Sequence, residues 1–126
     1  MPKFDPAHER YVSLATFRRD GSEVKTPVWI ANALGHYYVF SAGNAGKVKR
    51  IRSTARVRLA PCDVRGNLKG DWIEGTARIV DDKTTTAVAY RALVAKYGLQ
   101  MRLLDWIAKI TGRFGRRVLF EIDLRL

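Results

Sequence analysis

Apolar and polar residues alternate along most of this chain, a pattern that predicts β-strands. In the segment VKTPVWIA, the alternation places Val24, Thr26, Val28 and Ile30 on one face of an extended chain. By the same criterion, strands are predicted over residues 11–17, 24–31, 36–41, 56–60, 71–80 and 117–125. The short turns between most of these segments favour antiparallel pairing.

Two later segments have helical spacing instead, over residues 84–97 and 100–111. Asp81 or Asp82 is suited to cap the first helix and Gly98 to end it. Earlier in the chain, the Asp20-Gly21 pair supplies the positive φ that a tight hairpin needs. We therefore expect a mainly β protein, a small closed barrel of six antiparallel strands with helices packed outside it.

The segment SAGNAGKVKRIR predicts an anion-binding corner, because a strand ending at Ser41 is followed by a glycine-containing loop and a short basic helix. Lys47 and Arg50 lie three residues apart and share one face of that helix. Free N–H groups at a helix start, beside cationic side chains, suit a phosphate group. A solvated charged helix is the alternative interpretation.

Pro27 interrupts a segment that otherwise has the pattern of a strand. A proline cannot donate a hydrogen bond to a neighbouring strand. Its position therefore indicates an edge, a bulge or a place where a ligand meets the backbone.

The composition narrows the class of partner. A chain of 126 residues, 47% of them apolar, is expected to form one domain over residues 1–126. Dimerisation would help so small a domain, which buries only about two-thirds of its unfolded surface. The net charge of +11 implies an anionic partner, such as a nucleic acid, a membrane surface or an anionic cofactor. A basic surface that serves only solubility is the alternative.

Several other functions lack the residues they would need. Cys62 is the single cysteine, and the two histidines, His8 and His36, have no further ligand nearby in sequence, so no metal site is predicted. No nucleophile–base pair of a hydrolase is visible. No apolar run approaches the ~20 residues of a membrane span, and no signal peptide is evident. We expect a cytoplasmic protein without a membrane partner.

The ordered set of motifs resembles a known family. The runs LATFRRDGSEVKTPVWI, YYVFSAGNAGKVKRIRSTARVRLAPCDVRG and IEGTARIV are similar to the split-barrel flavin-binding proteins with the pyridoxamine 5′-phosphate oxidase-like fold. Within that superfamily, the chain most resembles small deazaflavin (F420)-dependent oxidoreductases. The resemblance covers residues 11–80, with a weaker match over 117–125.

The resemblance implies a homodimer of split barrels with a cofactor, F420 or FMN, in a groove between the subunits. The cofactor ring would lie along Thr26, Pro27, Val28 and Trp29, and its phosphate beside Ser41, Lys47 and Arg50. Such a protein would transfer hydride to a small organic substrate, with no protein residue assigned as catalytic. Trp72, or residues near Arg116, would complete the site from the partner subunit.

Two other functions stay open. The same residues would serve a carrier that binds the cofactor without turnover. A basic nucleic-acid-binding barrel ranks third, because it gives the TPVW segment no role. Between the cofactors, the subgroup likeness and the positive charge favour F420, whose acidic tail suits a basic chain.

Overall fold

The computed structural model describes residues 8–42, 45–98 and 117–125. The described strands and helices follow one another as β1 (Tyr11–Phe17), β2 (Glu23–Ala33), β3 (His36–Ala42), α1 (Ala45–Ser53), β4 (Arg56–Cys62), β5 (Ile73–Val80), α2 (Lys83–Tyr97) and β6 (Arg117–Leu124). The strands close into an antiparallel barrel in the order β1-β2-β3-β6-β5-β4. The mainly β, six-stranded split barrel predicted from the sequence is confirmed.

The inner residues of the alternating strands form the core of the barrel. Cross-strand partners share a face, so Val12 of β1 meets Val28 of β2, and Val39 of β3 meets Phe120 of β6. These four side chains belong to one buried apolar cluster that fills the interior. Burial of this cluster is the main favourable contribution to the stability of the barrel.

The helix α1 closes one end of the barrel. It packs against β1 and β5, and its Ile51 joins the inner cluster while Val48 packs against that cluster. Val48 and Ile51 lie three residues apart, so they share the inward face of the helix.

The helix α2 covers part of the outer face of the barrel. Ala89, Leu93 and Tyr97 of α2 are buried in a second apolar cluster with outer residues of the strands. Asp82 caps the helix by accepting a hydrogen bond from the backbone N–H of Thr85, and the Gly98 N–H bonds the carbonyl of Val94. Both predicted helix ends are therefore confirmed, with Asp82 rather than Asp81 as the cap.

Several predicted boundaries are wrong by a few residues. The second strand runs to Ala33 instead of stopping at residue 31, because its turn is confined to Leu34 and Gly35, which both have positive φ. The fourth strand extends to Cys62, where pairing with β1 continues, and the fifth begins at Ile73 instead of residue 71. The helix predicted over 100–111 lies outside the described residues.

Candidate functional site

Strand β2 changes partners halfway along its length. Its pairing with β1 runs from Glu23 to Val28, and its pairing with β3 begins only at Trp29, opposite Phe40. Beyond Phe40, β3 continues to Ala42 but pairs there only with β6. The two strands therefore part where Val28 and Ser41 would have met, and we call this gap the β2–β3 split. Among the described residues, no strand pairs with the β3-facing edge of Glu23–Val28.

Pro27 lies in the stretch of β2 that borders the split. It faces Ser13 of β1 on one side and has no described strand partner on the other, and it is exposed. Prolines in sheets are largely confined to such edges because they lack an N–H. The sequence left three interpretations of Pro27 open: an edge, a bulge or a place where a ligand meets the backbone. In the structure, Pro27 lies at an edge.

Thr26 carries an unused hydrogen-bonding group beside the split. It pairs with Leu14, whose side chain lies in the inner cluster, so the Thr26 side chain shares the inner face. Its Oγ1 atom is buried and has no hydrogen-bond partner among the described residues. An unsatisfied buried hydroxyl costs about 1–3 kcal/mol, and a ligand group reaching it would recover part of that free energy.

Val28 and Trp29 take opposite faces of β2, as the alternation predicted. Val28 is buried in the inner cluster. Trp29 lies on the outer face, where its ring stacks on Tyr97 of α2 with centroids 4.4 Å apart and planes 7° apart. One face of the indole is thus covered by the protein's own helix, and only the rest of its surface remains for a ligand.

A loop between β4 and β5 lies against Pro27. A Cβ placed on Gly66 would stand 3.8 Å from the Pro27 ring, and Gly66 has a φ of +91°. The loop is held by Asp63, whose side chain accepts hydrogen bonds from the backbone N–H groups of Arg65 and Asn67. This ordered loop therefore forms a wall on the outer side of the split.

The end of the split leads to the helix α1. The backbone of Ser41 pairs with Val118 of β6, while the Ser41 side chain and residues 43–44 lie outside the described part of the chain. Lys47 and Arg50 follow on α1, as predicted. The Nε atom of Arg50 donates a 2.6 Å hydrogen bond to Oγ1 of Thr16, a buried residue near the end of β1. We call Thr16, Lys47 and Arg50 together the α1 corner.

The two cationic side chains of the α1 corner, Lys47 and Arg50, are poorly solvated. Lys47 is only 3% exposed, although the sequence placed it on a ligand-facing surface of the helix. Burial lowers the pKa of the Lys47 ammonium, and the nearby charge of Arg50 lowers it further. The pKa of Arg50 is also lowered, first by burial and then by the charge of Arg18. A bound anion would relieve both effects.

Thr16 is a site residue that the sequence reasoning missed. It lies on the inner face of β1, in line with Leu14 and Val12, where an apolar side chain is the ordinary choice. The sequence does show that a polar residue, Thr16, continues the apolar inner face of β1. Only the fold shows that the Arg50 side chain reaches its hydroxyl.

Trp72 is held on the outer face by two cations of the same chain. The Arg58 guanidinium lies 4.7 Å from its ring centroid, and the Lys25 ammonium lies 5.6 Å away. Lys25 directly precedes Thr26 on β2, so Trp72 stands close to the split within one chain. Its predicted role in a partner's site stays a prediction, and Arg116 lies outside the described residues.

Two negative findings concern only the described ranges. Within them, no group of three or more histidine, cysteine or acidic residues is placed to hold a metal ion. In the same ranges, no helix is both long and apolar enough to cross a membrane.

The model of the pyridoxamine 5′-phosphate oxidase family matches residues 5–125, nearly the whole chain. The chain belongs to that family. A search of curated proteins found no match. Membership in the pyridoxamine 5′-phosphate oxidase family agrees with the family resemblance noted in the sequence, and the F420-dependent subgroup stays a prediction.

Solved structures share the fold at low sequence identity. The heme storage protein HutZ of Vibrio cholerae is 12% identical with a TM-score of 0.72, over 96% of this chain and 85% of that one. A conserved hypothetical protein of Mycobacterium tuberculosis is 22% identical with a TM-score of 0.69, over 95% and 76%. An FAD-binding protein of Mesorhizobium loti is 21% identical with a TM-score of 0.61, over 95% and 82%.

Proposed function

We propose that this protein binds a flavin or deazaflavin, FMN or F420, in the β2–β3 split and transfers hydride between it and a small organic molecule. The observation that carries the proposal is the position of the split. It runs from the predicted ring-binding residues of β2 to the cationic α1 corner, so one elongated ligand can occupy both.

The residues beside the split fit the ring of such a cofactor. The unpartnered hydroxyl of Thr26 is suited to a polar atom at the ring edge, and the exposed edge of Pro27 offers an apolar surface without a competing N–H. The ordered loop around Gly66 limits the width of the site on its outer side. Val28 contributes its backbone rather than its buried side chain.

The α1 corner fits the phosphate end. Lys47 is a buried cation, and Arg50 is oriented by Thr16 through its Nε atom, which leaves the outer part of the guanidinium for a ligand. Charge-assisted hydrogen bonds of this kind are about twice as strong as neutral ones. The +11 charge of the chain also suits the acidic tail of F420, whereas FMN requires only the phosphate contact.

In the proposed reaction, the cofactor and the chain have separate roles. A bound flavin or deazaflavin supplies the two-electron chemistry. The chain orients the ring along β2, anchors the phosphate and limits water at the outer wall. A second copy of the chain completes the groove, and the whole chain acts as one domain.

A carrier without turnover is the second candidate function. It is favoured by the similarity in fold to HutZ, which is described as a heme storage protein. The nucleic-acid alternative explains neither the split nor the unpartnered Thr26 hydroxyl.

The test is a parallel titration of the purified protein with F420, FMN and hemin at physiological salt, followed by turnover assays with the reduced form of any flavin or deazaflavin that binds. We expect micromolar or tighter binding of F420 or FMN, at about −8 kcal/mol or better, and oxidation of the bound reduced cofactor by an organic acceptor. Binding without turnover supports the carrier. Binding of neither F420 nor FMN contradicts the proposal.

A further inference from the structure

The backbone of β2 alternates between its two neighbours, and the register shows which residues face the split. In an antiparallel pair, residues that exchange N–H···O bonds alternate with residues whose backbone groups point away from the partner. The N–H of Arg18 donates to the carbonyl of Ser22 at 2.9 Å, and this pair continues the β1–β2 register. Counting onward from this bonded pair, Val24, Thr26 and Val28 bond β1, so the odd-numbered residues of β2 point the other way.

Two further features agree with this assignment. The two-residue turn between β2 and β3 makes the residues that flank it a bonded pair, so the odd-numbered residues down to Trp29 bond β3. Ile30, an even-numbered residue, donates its N–H at 3.0 Å to the Tyr97 hydroxyl, which also contacts the chain just before β1. Pro27, which has no N–H, lies at an odd-numbered position, where no bond to β1 is needed.

Lys25 is left with two backbone hydrogen-bonding groups at the split. Among the described residues, neither its N–H nor its C=O has a hydrogen-bond partner. In an extended residue these two groups lie side by side and point the same way. Backbone polar groups need hydrogen-bond partners, so a ligand that displaces water from this edge must bond to both.

Pro27 makes the same edge unsuitable for another strand. An added strand would need the N–H of every second residue along the edge, and at Pro27 that donor is missing. Natural sheets use proline in this way to prevent edge-to-edge pairing. The two groups of Lys25 therefore suit a short ligand edge with one donor and one acceptor rather than an extended peptide.

A cis-amide in a planar ring has such an edge. Its N–H and C=O lie side by side in the plane of the ring, as those of the partner residue do in a bonded strand pair. The pyrimidine portion of flavins and deazaflavins carries this group at N3 and the adjoining carbonyl, whereas heme has no amide. A ring bound in this way extends the plane of the sheet from β2 into the split.

We propose that the backbone N–H and C=O of Lys25 bind the cis-amide edge of the cofactor ring, with the N–H donating to a ring carbonyl and the C=O accepting from N3–H. The inference rests on the proposed function, because it deepens the same site by assigning the group that recognises the ring. Thr26, the next residue, carries its unpartnered hydroxyl on the inner face and contacts a different part of the ligand. The main chain of β2 thus selects flavins and deazaflavins over heme.

The experiment compares FMN with FMN methylated at N3, by titration of the wild-type protein. If F420 binds more tightly than FMN, 5-deaza-FMN and its N3-methyl derivative are used instead. Methylation removes the donor to the Lys25 carbonyl and leaves the phosphate unchanged, so we expect it to weaken binding by about tenfold. Equal affinity for the two compounds overturns the proposal.

Two variants link that effect to the backbone of Lys25. Lys25→Pro removes the N–H that faces the split, whereas Lys25→Ala keeps it and shortens only the side chain. The methylation penalty should shrink to about twofold in Lys25→Pro, because one bond of the pair is already lost, and should stay near tenfold in Lys25→Ala. A full penalty in Lys25→Pro, or a lost penalty in Lys25→Ala, overturns the proposal.

Val24→Pro tests the orientation of the strand. The Val24 N–H bonds β1, so its loss should lower the urea midpoint of unfolding far more than Lys25→Pro, which breaks no bond between strands. If Lys25→Pro unfolds as readily as Val24→Pro, the orientation is wrong and this inference fails, while FMN or F420 still binds the wild-type protein. If neither cofactor binds the wild-type protein, the proposed function itself fails, and this inference fails with it.

Discussion

Strand β2 stops pairing with β1 at one position and with β3 at another, and the surroundings of the two positions differ. On the β1 side, pairing ends at Val12 and Val28, and the hydroxyl of Tyr97 bridges the next positions, accepting from the Ile30 N–H at 3.0 Å and lying 2.7 Å from the Arg10 carbonyl oxygen. On the β3 side, pairing ends at Trp29, which lies opposite Phe40.

Lys96 and Lys47, one on each helix, lie in different environments. Lys96 of α2 donates to the backbone carbonyls of Glu9 and Ile30, both at 2.6 Å, so its charge is used to hold the chain to itself. Lys47 of α1 is buried next to another cation, Arg50, at a cost in solvation. We call the β1 side of β2, which the Tyr97 hydroxyl bridges, the closed end, and the β2–β3 split together with the α1 corner the open end. The contacts of Tyr97 and Lys96 stabilise the closed end, and we propose that a ligand occupies the open end, where the Thr26 hydroxyl has no hydrogen-bond partner among the described residues.

Lys47→Met should give the largest effect, because it removes the buried cation from the open end. We expect the affinity for F420 or FMN to fall by about 100-fold, or about 2.7 kcal/mol. Cofactor titration measures the affinity, and urea unfolding checks that the variant still folds.

The control for Lys47→Met is Lys49→Met, on the same helix. Lys49 is exposed, so the same substitution there should change the cofactor affinity by no more than a small amount. A cofactor affinity that is equal in both variants would contradict the assignment of Lys47 to the phosphate.

Tyr97→Phe tests the closed end. The change leaves the buried Ile30 N–H without its partner and should lower the free energy of unfolding by about 2 kcal/mol. Cofactor affinity should be unchanged, because the substitution keeps the ring that stacks on Trp29 and removes only a hydroxyl that bonds the backbone of Arg10 and Ile30. If Tyr97→Phe lowered the cofactor affinity and left the free energy of unfolding unchanged, the assignment of stability to the closed end would be wrong.

The pH dependence of Tyr97→Phe provides a second measurement. Burial raises the pKa of Tyr97 to about 12, from an ordinary value of 10.0. The folded state thus holds this proton more tightly than the unfolded state, and the resulting stability is present below pH 10 and lost as the pH rises towards 12. The wild-type protein should lose more stability across that window than Tyr97→Phe does.

The smallest predicted effect concerns the pH dependence of binding at the open end. The pKa of Lys47 lies below its ordinary value of 10.5, so Lys47 loses its proton at a lower pH than an exposed lysine. Cofactor affinity should therefore fall by about threefold as the pH rises towards 10.5, and the fall should begin at a lower pH than an exposed lysine would give. Lys47→Arg, which stays protonated, should show no such fall; an equal fall in both proteins contradicts the role of the Lys47 charge.

The strands were predictable from the sequence because their periodicity is local. The alternation in residues 24–30 foretold that Val28 would lie inside the barrel and Trp29 outside. Gly75 interrupts the side-chain pattern of β5, and the structure gives the reason: a Cβ there would stand 2.6 Å from the carbonyl oxygen of Asp123.

The environments of charged side chains were less predictable. Glu121 lies on the outer face of β6, between the inner residues Phe120 and Ile122, yet it is only 8% exposed and is paired with Arg78. Trp29 was expected to offer a flat surface to a ring, but Tyr97, 68 positions along the chain, stacks on one of its faces. Such contacts join distant segments, so no local pattern reports them.

By itself, the sequence determined the strands, the caps of α2 and the position of Lys47 and Arg50 on one short helix, because propensity and alternation act over a few residues. Only the tertiary structure decided where β2 exchanges one partner for the other, that Thr26 keeps an unpaired hydroxyl, and that Lys47 is buried beside Arg50. Closing the barrel sets which strands meet and which part, and that closure depends on all the strands together.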